Sequence, residues 1–155
     1  MATVIEHKGC AIEKFLQDTC DALMVNTNCF NCVVSPEDIR VQDNLPDLRA
    51  VDASTEQMNP KHKLGLYTVY RYSDSEEFPM AINVYGSYDP QDRINYAALT
   101  SSVLNACAFV LDGVDLKRVV RVCFPKPSRV DGDWEIIKEI LEFSPDRIEW
   151  HVYEL

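Results

Sequence analysis

Short apolar runs alternate with segments of helical periodicity along this chain, and that alternation limits the fold more than any other feature. Near the C-terminus, Val119 to Phe124 has strand character, Trp134 to Phe143 carries an apolar helical stripe, and Arg147 to Tyr153 has strand character again. Strands that alternate with helices predict an α/β layered domain with a mostly parallel sheet. With no repeat or linker in the chain, we expect one domain over residues 1–155.

The individual segments make this expectation more specific. A helix is predicted between Pro90 and Gly113, where apolar residues recur at spacings of three and four, and Ala22 to Val25 is predicted to be a strand buried on both faces. Ser35-Pro36-Glu37-Asp38 is typical of a helix start. The last strand alternates polar and apolar residues, so we expect it at an edge of the sheet.

Composition fits a globular chain without a membrane segment. The chain has 155 residues, of which 46% are hydrophobic. Its longest apolar runs, such as Leu104 to Leu111, are too short to cross a bilayer, and its N-terminus lacks the pattern of a signal peptide. We therefore expect a cytoplasmic protein.

The charge balance bears on possible partners. Asp and Glu outnumber Lys and Arg by 25 to 15, which gives a formal net charge of −10. Such a chain repels polyphosphate backbones, so nucleic-acid binding is disfavoured and a basic protein partner is favoured. The acidity is also what solubility alone requires.

The six cysteines do not form a recognisable framework. Without a signal peptide we expect them to be reduced and partly buried rather than paired. Cys29 and Cys32 form a CxxC, but no second such pair or HxxxH completes a set of four ligands. We predict neither a metal ion nor a cofactor.

Five segments resemble one known family. They are ALMVNTNCFN (Ala22 to Asn31), KHKLGLYTV (Lys61 to Val69), INVYGSYD, NYAAL and GDWEIIKEILEFSPDRIEWHVYEL (Gly132 to Leu155). In content and order they resemble macrodomains, especially the ADP-ribose-1''-phosphate phosphatase-like branch found in fungi and bacteriophages. The resemblance implies three α/β/α layers around a central mixed sheet, with an ADP-ribose cleft at the strand ends.

Three ligand-contacting segments of the family are altered here. Gly9-Cys10-Ala11 stands where the family has Gly-Asp-Leu, so the carboxylate that accepts the adenine amine is missing. Val34-Ser35-Pro36 replaces a glycine-rich phosphate loop and thereby adds bulk and removes an amide donor. The second phosphate loop, Lys126 to Asp131, has lost its internal glycines.

A residual pocket remains conceivable at the matching positions. Its candidate ligand-binding residues are Asn28, Asn31, Tyr85, Ser87, Lys126, Ser128 and Arg129. The competing interpretation is that both asparagines tie down their own loop, and that the cations belong to a solvated turn. No residue is predicted to be catalytic, and His7, His62 and His151 are expected to be solvated or locally bonded.

Two functional hypotheses follow from the resemblance. The first is a degenerate macrodomain that acts as an interaction protein through an acidic surface, without ADP-ribose hydrolysis; a phage product of this kind would engage a host or defence protein. The second is a macrodomain that still binds or processes ADP-ribose or a related nucleotide, as a phosphatase or hydrolase.

Overall fold

The computed structural model describes all 155 residues and contains six strands and six helices. The strands are β1 (Thr3–Lys8), β2 (Ala22–Asn28), β3 (Tyr67–Arg71), β4 (Met80–Ser87), β5 (Val120–Pro125) and β6 (Ile148–Glu154). The helices are α1 (Ala11–Leu16), α2 (Pro36–Asn44), α3 (Pro46–Ala53), α4 (Pro60–Lys63), α5 (Tyr96–Leu111) and α6 (Trp134–Glu142).

All six strands form one mixed sheet, in the order β1-β6-β5-β2-β4-β3. Four of the five pairings are parallel, and only β3 runs antiparallel to its neighbour β4. Two separate buried clusters fill the spaces between this sheet and the helices on its two faces. The three-layer α/β/α architecture with a central mixed sheet is confirmed.

Strand β2 shows how the two clusters share the sheet. Ala22 and Met24 face the cluster beneath α5 and α6, whereas Leu23 and Val25 face the cluster beneath α1, α2 and α3. Alternate side chains of a strand point to opposite faces, so a strand covered on both sides is apolar throughout. The prediction that this segment is buried on both faces is confirmed.

The prediction that the last strand lies at an edge is wrong. Strand β6 pairs with β5 on one side and with β1 on the other, so β1 is the edge strand. The apolar face of β6, with Ile148, Trp150 and Val152, is buried as expected. Its other face carries the polar residues Glu149 and His151 and also Tyr153, which is buried in the cluster beneath α1.

The predicted helix start at Ser35 is confirmed. Ser35 caps α2, where its hydroxyl accepts a hydrogen bond from the Asp38 amide and the Asp38 side chain accepts from the Ser35 amide. Asp133 caps α6 by accepting from the Glu135 amide. None of the helices combines the length and the apolar character needed to span a bilayer.

The cysteines differ from expectation at one pair. Cys20 and Cys123 form a disulfide with 6.0 Å between their Cα atoms. The other four cysteines are free; Cys10, Cys29 and Cys107 are buried, and Cys32 is exposed. The prediction that all six are unpaired is therefore wrong, because β2 lies beside β5 and brings together two residues separated by 103 positions.

Candidate functional site

A cleft opens between β2 and β5 at the carboxyl ends of the parallel strands. These two strands pair only at Ala22 and Leu23 and then separate. On one side of this point the sheet continues from β2 to β4, and on the other side it continues from β5 to β6. Such a reversal of strand order is where open α/β sheets place their ligand crevices.

Two loops border the cleft. The first loop, residues 29–35, follows β2, and the second loop, residues 126–133, follows β5. The inner cleft lies between the loops, and its lining includes Asn26, Ser35, Asp38, Ser87 and Asp131. The outer cleft, a cavity of about 460 Å³, lies beside the second loop and α6, against Arg129, Trp134 and Glu154.

The Asn28 side chain forms its hydrogen bonds within the first loop and the residues next to it. Its Oδ1 accepts hydrogen bonds from the amides of Phe30 (3.1 Å) and Cys32 (3.2 Å), and its Nδ2 donates to the Cys32 carbonyl at 3.0 Å. The side chain is buried and bonded on both ends. The interpretation of Asn28 as a loop tie accounts for every hydrogen bond it makes.

Asn31 belongs to a buried polar network. It has a positive φ of 61°, and its Nδ2 donates to the Asp52 carboxylate (2.8 Å) and to the Thr55 hydroxyl (2.9 Å). Its Oδ1 accepts from the ammonium group of Lys63 at 2.7 Å. The network holds the CxxC turn against α3 and does not line the cleft.

Tyr85 completes that network from strand β4. Its hydroxyl donates to Asp52 Oδ1 at 2.7 Å, and burial followed by the Asp52 charge raises its pKa. Burial also lowers the pKa of Lys63, an effect that Asp52 opposes. Burial raises the pKa of Cys29 to about 11, which keeps this thiol protonated and unreactive near neutral pH.

The amides at the end of the first loop already have an anionic partner. Val34 N and Ser35 N both donate to Asp38 Oδ2, each at 3.0 Å. Two adjacent amides that converge on one oxygen form the type of site that holds a phosphate. Here a carboxylate of the same chain fills it.

The second loop is likewise bonded to itself. The amides of Asp131 and Gly132 donate to the Ser128 carbonyl at 3.0 and 3.2 Å, and the Ser128 hydroxyl donates to Asp131 Oδ2 at 2.7 Å. Arg129 is exposed on the outer cleft. Of the predicted candidates in this loop, Ser128 and Arg129 both line the outer cleft, but the Ser128 side chain is hydrogen-bonded within its own loop.

Lys126 is neutralised by its neighbours. Its ammonium group lies 3.3 Å from Glu154 Oε2 and 3.6 Å from Glu6 Oε1, and 5.1 Å from the centroid of the Trp134 ring. The hydrogen bonds from Lys126 and Lys8 lower the pKa of Glu154. The lysine is therefore part of a surface ion-pair chain and not an unpaired phosphate contact.

Ser87 lies on the wall of the inner cleft at the end of β4. Its hydroxyl accepts from Asn26 Nδ2 at 3.1 Å, while Asn26 Oδ1 accepts from the Gly86 amide at 3.0 Å. A register shift in the β2–β4 pairing between Asn26 and Asn28 turns the end of β2 toward this wall.

The inner cleft is acidic. Its lining contains five carboxylates and a single cation, Lys126; the carboxylates are Glu37, Asp38, Asp89, Asp92 and Asp131. Sequence reasoning placed Asp38 at a helix start but missed its bonds to the loop amides. The Ser35-to-Asp38 spacing of a capping box was the signal that could have revealed them.

In the altered segment Gly9-Cys10-Ala11, Cys10 takes the N-cap position of α1, and it is buried, with 8% of its surface exposed. It makes no side-chain capping hydrogen bond. A buried neutral thiol does not supply the carboxylate whose place it takes in the sequence.

Comparison with known proteins identifies the fold. No protein-family model and no curated protein matches the sequence. The macrodomain of DarG from Thermus aquaticus has a TM-score of 0.71 at 14% identity, over all of both chains. The macrodomain of DarG from Mycobacterium tuberculosis has a TM-score of 0.74 at 14% identity, over 100% of this chain and 99% of that one.

A third solved structure carries a ligand. DarTG from Thermosipho africanus, in complex with ADP-ribose, has a TM-score of 0.66 at 15% identity, over 86% of this chain and 38% of that one. Identities this low establish shared architecture and not shared chemistry. The chain has the macrodomain fold, as its sequence resemblance implied.

Proposed function

We propose that this chain is a degenerate macrodomain that acts as a binding protein, with an acidic cleft that engages a basic protein partner and without ADP-ribose hydrolysis. We place its origin in the ADP-ribose-1''-phosphate phosphatase-like branch of phage or fungal type, and its action in the cytoplasm. In a phage setting, the partner would be a host or defence protein.

The observation that carries this proposal is the contact between Asp38 and the first loop. The amides of Val34 and Ser35 are the donors that a diphosphate would need there, and both bond to Asp38 Oδ2. A phosphate would have to displace a carboxylate that also belongs to the α2 cap. Pro36 adds no donor of its own.

Charge supports the same conclusion. A diphosphate in the inner cleft would approach five carboxylates, and Lys126 already pairs with Glu6 and Glu154. Like charges that meet in a crevice repel more strongly than they do in open water. The same field attracts Lys and Arg side chains of another protein.

ADP-ribose binding is the second candidate function, and the outer cleft favours it. That cavity presents the Trp134 ring and the exposed Arg129 side chain, which suit a nucleotide base and a phosphate. The Thermosipho africanus neighbour, of which 38% matches this chain, is in complex with ADP-ribose. Under this alternative, the ligand would use side chains where other macrodomains use backbone amides.

Calorimetric titration with ADP-ribose separates the two functions. We expect no binding tighter than about 1 mM, which corresponds to about −4 kcal/mol. A dissociation constant in the low micromolar range, about −8 kcal/mol, would establish the alternative. Incubation with an ADP-ribosylated protein and with ADP-ribose-1''-phosphate should release no product.

The partner is tested by capture and by salt dependence. Proteins retained from native host lysate by the immobilised chain are purified, and their association rates are measured from about 0.05 to 0.5 M salt. The rates should fall steeply, because screening shortens the range of charge attraction. Association that does not depend on salt would contradict the electrostatic part of the proposal.

Paired charge reversals locate the contact surface. Glu37→Lys with Asp92→Lys changes two side chains that line the inner cleft. Asp74→Lys with Glu76→Lys makes the same change in net charge in the exposed turn before β4, at the opposite end of that strand. Only the first pair should slow association; equal slowing by both would place the contact elsewhere.

A further inference from the structure

A histidine pair joins the first and last strands of the chain. His7 on β1 and His151 on β6 are separated by 144 residues in sequence, yet His7 Nε2 lies 2.9 Å from His151 Nδ1. The two rings are nearly parallel, with 12° between their planes. Tyr153 packs on His7 at 4.7 Å between ring centroids and restrains that ring.

A carboxylate fixes the tautomer of His151. Glu149 Oε1 lies 2.6 Å from His151 Nε2, and a carboxylate only accepts hydrogen bonds. His151 Nε2 therefore carries its proton, and Nδ1 presents a lone pair toward His7. A carboxylate on the far nitrogen of an imidazole is the arrangement that orients metal-binding histidines.

We propose that His7 Nε2 and His151 Nδ1 bind a divalent transition-metal ion, Zn²⁺ or Cu²⁺, with Glu149 as a positioning residue. On binding, the His7 proton moves from Nε2 to Nδ1, so each imidazole remains neutral and gives one lone pair. With metal–nitrogen bonds of about 2.0–2.1 Å at a tetrahedral angle, the two nitrogens stand about 3.3 Å apart. A small rotation of the rings opens the present gap to that value.

The donor set determines which ions fit. Imidazole nitrogens suit Zn²⁺, Cu²⁺ and Ni²⁺, whereas Mg²⁺ and Ca²⁺ take oxygen ligands. The site offers two protein ligands, and no group of three or more histidine, cysteine or acidic side chains in the structure is placed to hold a metal ion, so water would complete the coordination. The Lys14 charge, which acts on His7, also repels a bound cation and so weakens the site.

The test uses the full chain with Cys32→Ser, because Cys32 is the one exposed free thiol and would bind these ions itself. After chelator treatment, Zn²⁺ is titrated by calorimetry and should bind at a ratio of one to one. His7→Ala and His151→Ala should each weaken binding at least tenfold. His62→Ala, at the exposed histidine of α4, is the matched control and should change nothing.

Two further measurements address position and folding. Glu149→Gln keeps the side-chain shape and should weaken Zn²⁺ binding about 10- to 100-fold. Electron paramagnetic resonance of bound Cu²⁺ should show two imidazole nitrogens in the protein with both histidines intact, a result that needs no variant to fold. Absence of Zn²⁺ and Cu²⁺ binding, a single coordinated nitrogen, or unchanged affinity in His7→Ala would overturn the proposal.

Discussion

Asp38 holds, within one chain, the two donors that would otherwise be open to an anion. Replacing it with alanine frees Val34 N and Ser35 N. We predict that Asp38→Ala gains measurable calorimetric affinity for ADP-ribose, from none detectable at about 1 mM in the parent chain. Asp38→Ala keeps the Ser35 cap, which accepts from the backbone amide of residue 38, but removes the reciprocal half of the capping box, so the free energy of unfolding should fall by at most about 1 kcal/mol.

Asp38→Asn is the control for that experiment. An asparagine oxygen still accepts from both amides, while the negative charge is gone. If ADP-ribose is excluded because the two amides are already hydrogen-bonded, Asp38→Asn should still show no detectable binding of ADP-ribose. If charge alone excludes it, the asparagine and alanine variants should bind equally, and the argument from Asp38 would fail.

Gly86 is required by the close approach of β4 to β2. A Cβ atom at this position would collide with Asn26 Oδ1 and lie 3.0 Å from Leu99 Cδ1. We predict that Gly86→Ala lowers the free energy of unfolding by about 1–3 kcal/mol, as overpacking does, measured by urea denaturation.

The double variant Asn26→Ala/Gly86→Ala tests the cause of that loss. Removal of the Asn26 side chain eliminates the main collision, so Gly86→Ala should cost less on the Asn26→Ala background than on the parent. Equal cost on both backgrounds would mean that the contact with Leu99, or the backbone itself, is responsible.

At the residue scale, local chemistry was predictable and remote contacts were not. The helix start at Ser35 could be deduced from neighbouring residues, and the loss of loop glycines followed from the resemblance to macrodomains. That Lys126 meets Glu6 and Glu154 could not, because those carboxylates come from the two ends of the chain. The buried partners of Asn31 and Tyr85 could not be predicted either, because Asp52 and Lys63 also lie far from them in sequence.

At the scale of elements, periodicity predicted the strands and helices but not every neighbour relation. The alternation of β6 correctly predicted that Ile148, Trp150 and Val152 are buried, but it placed Tyr153 on the polar face, and the structure buries that residue as well. It was wrong about the edge, because polar side chains on one face of a strand do not show whether the strand has a neighbour on each side. Strand β1 has a weaker pattern, and only the tertiary structure shows that it pairs with β6.

The same pairing should make stability depend on pH. Burial, then the charges of His151 and Lys14, lower the pKa of His7 below its ordinary 6.5. The unfolded chain therefore takes up a proton at a higher pH than the folded chain does, and stability falls as pH drops through 6.5. Glu149 bonds to His151 and pairs with Arg121, and Glu6, Lys8, Lys126 and Glu154 share a cavity lining with His7.

Urea denaturation at pH 7.5, 6.5 and 5.5, with a chelator present, measures this effect. The parent chain should lose stability over this range, and His7→Gln should lose less because position 7 no longer titrates. His62→Gln should follow the parent. A steeper loss in His7→Gln would reverse the sign of the argument.

At the scale of the whole molecule, the crevice arises from strand order. Resemblance implied a cleft at the strand ends, and general rules place it where the order reverses. The order itself, with β5 and β4 on either side of β2, is set by long-range pairing that no local pattern encodes. The Cys20–Cys123 disulfide depends on the same pairing and was missed for the same reason.

That disulfide closes a loop of 103 residues, so its loss should lower the stability of the whole molecule. We predict that reduction lowers the free energy of unfolding by about 2–5 kcal/mol, with the chain-entropy model near the upper value for a loop this long. Cys20→Ala/Cys123→Ala should be equally destabilised and indifferent to reductant. Thiol titration of the unreduced, denatured chain should count the four free cysteines; a count of six would show that the bond does not form.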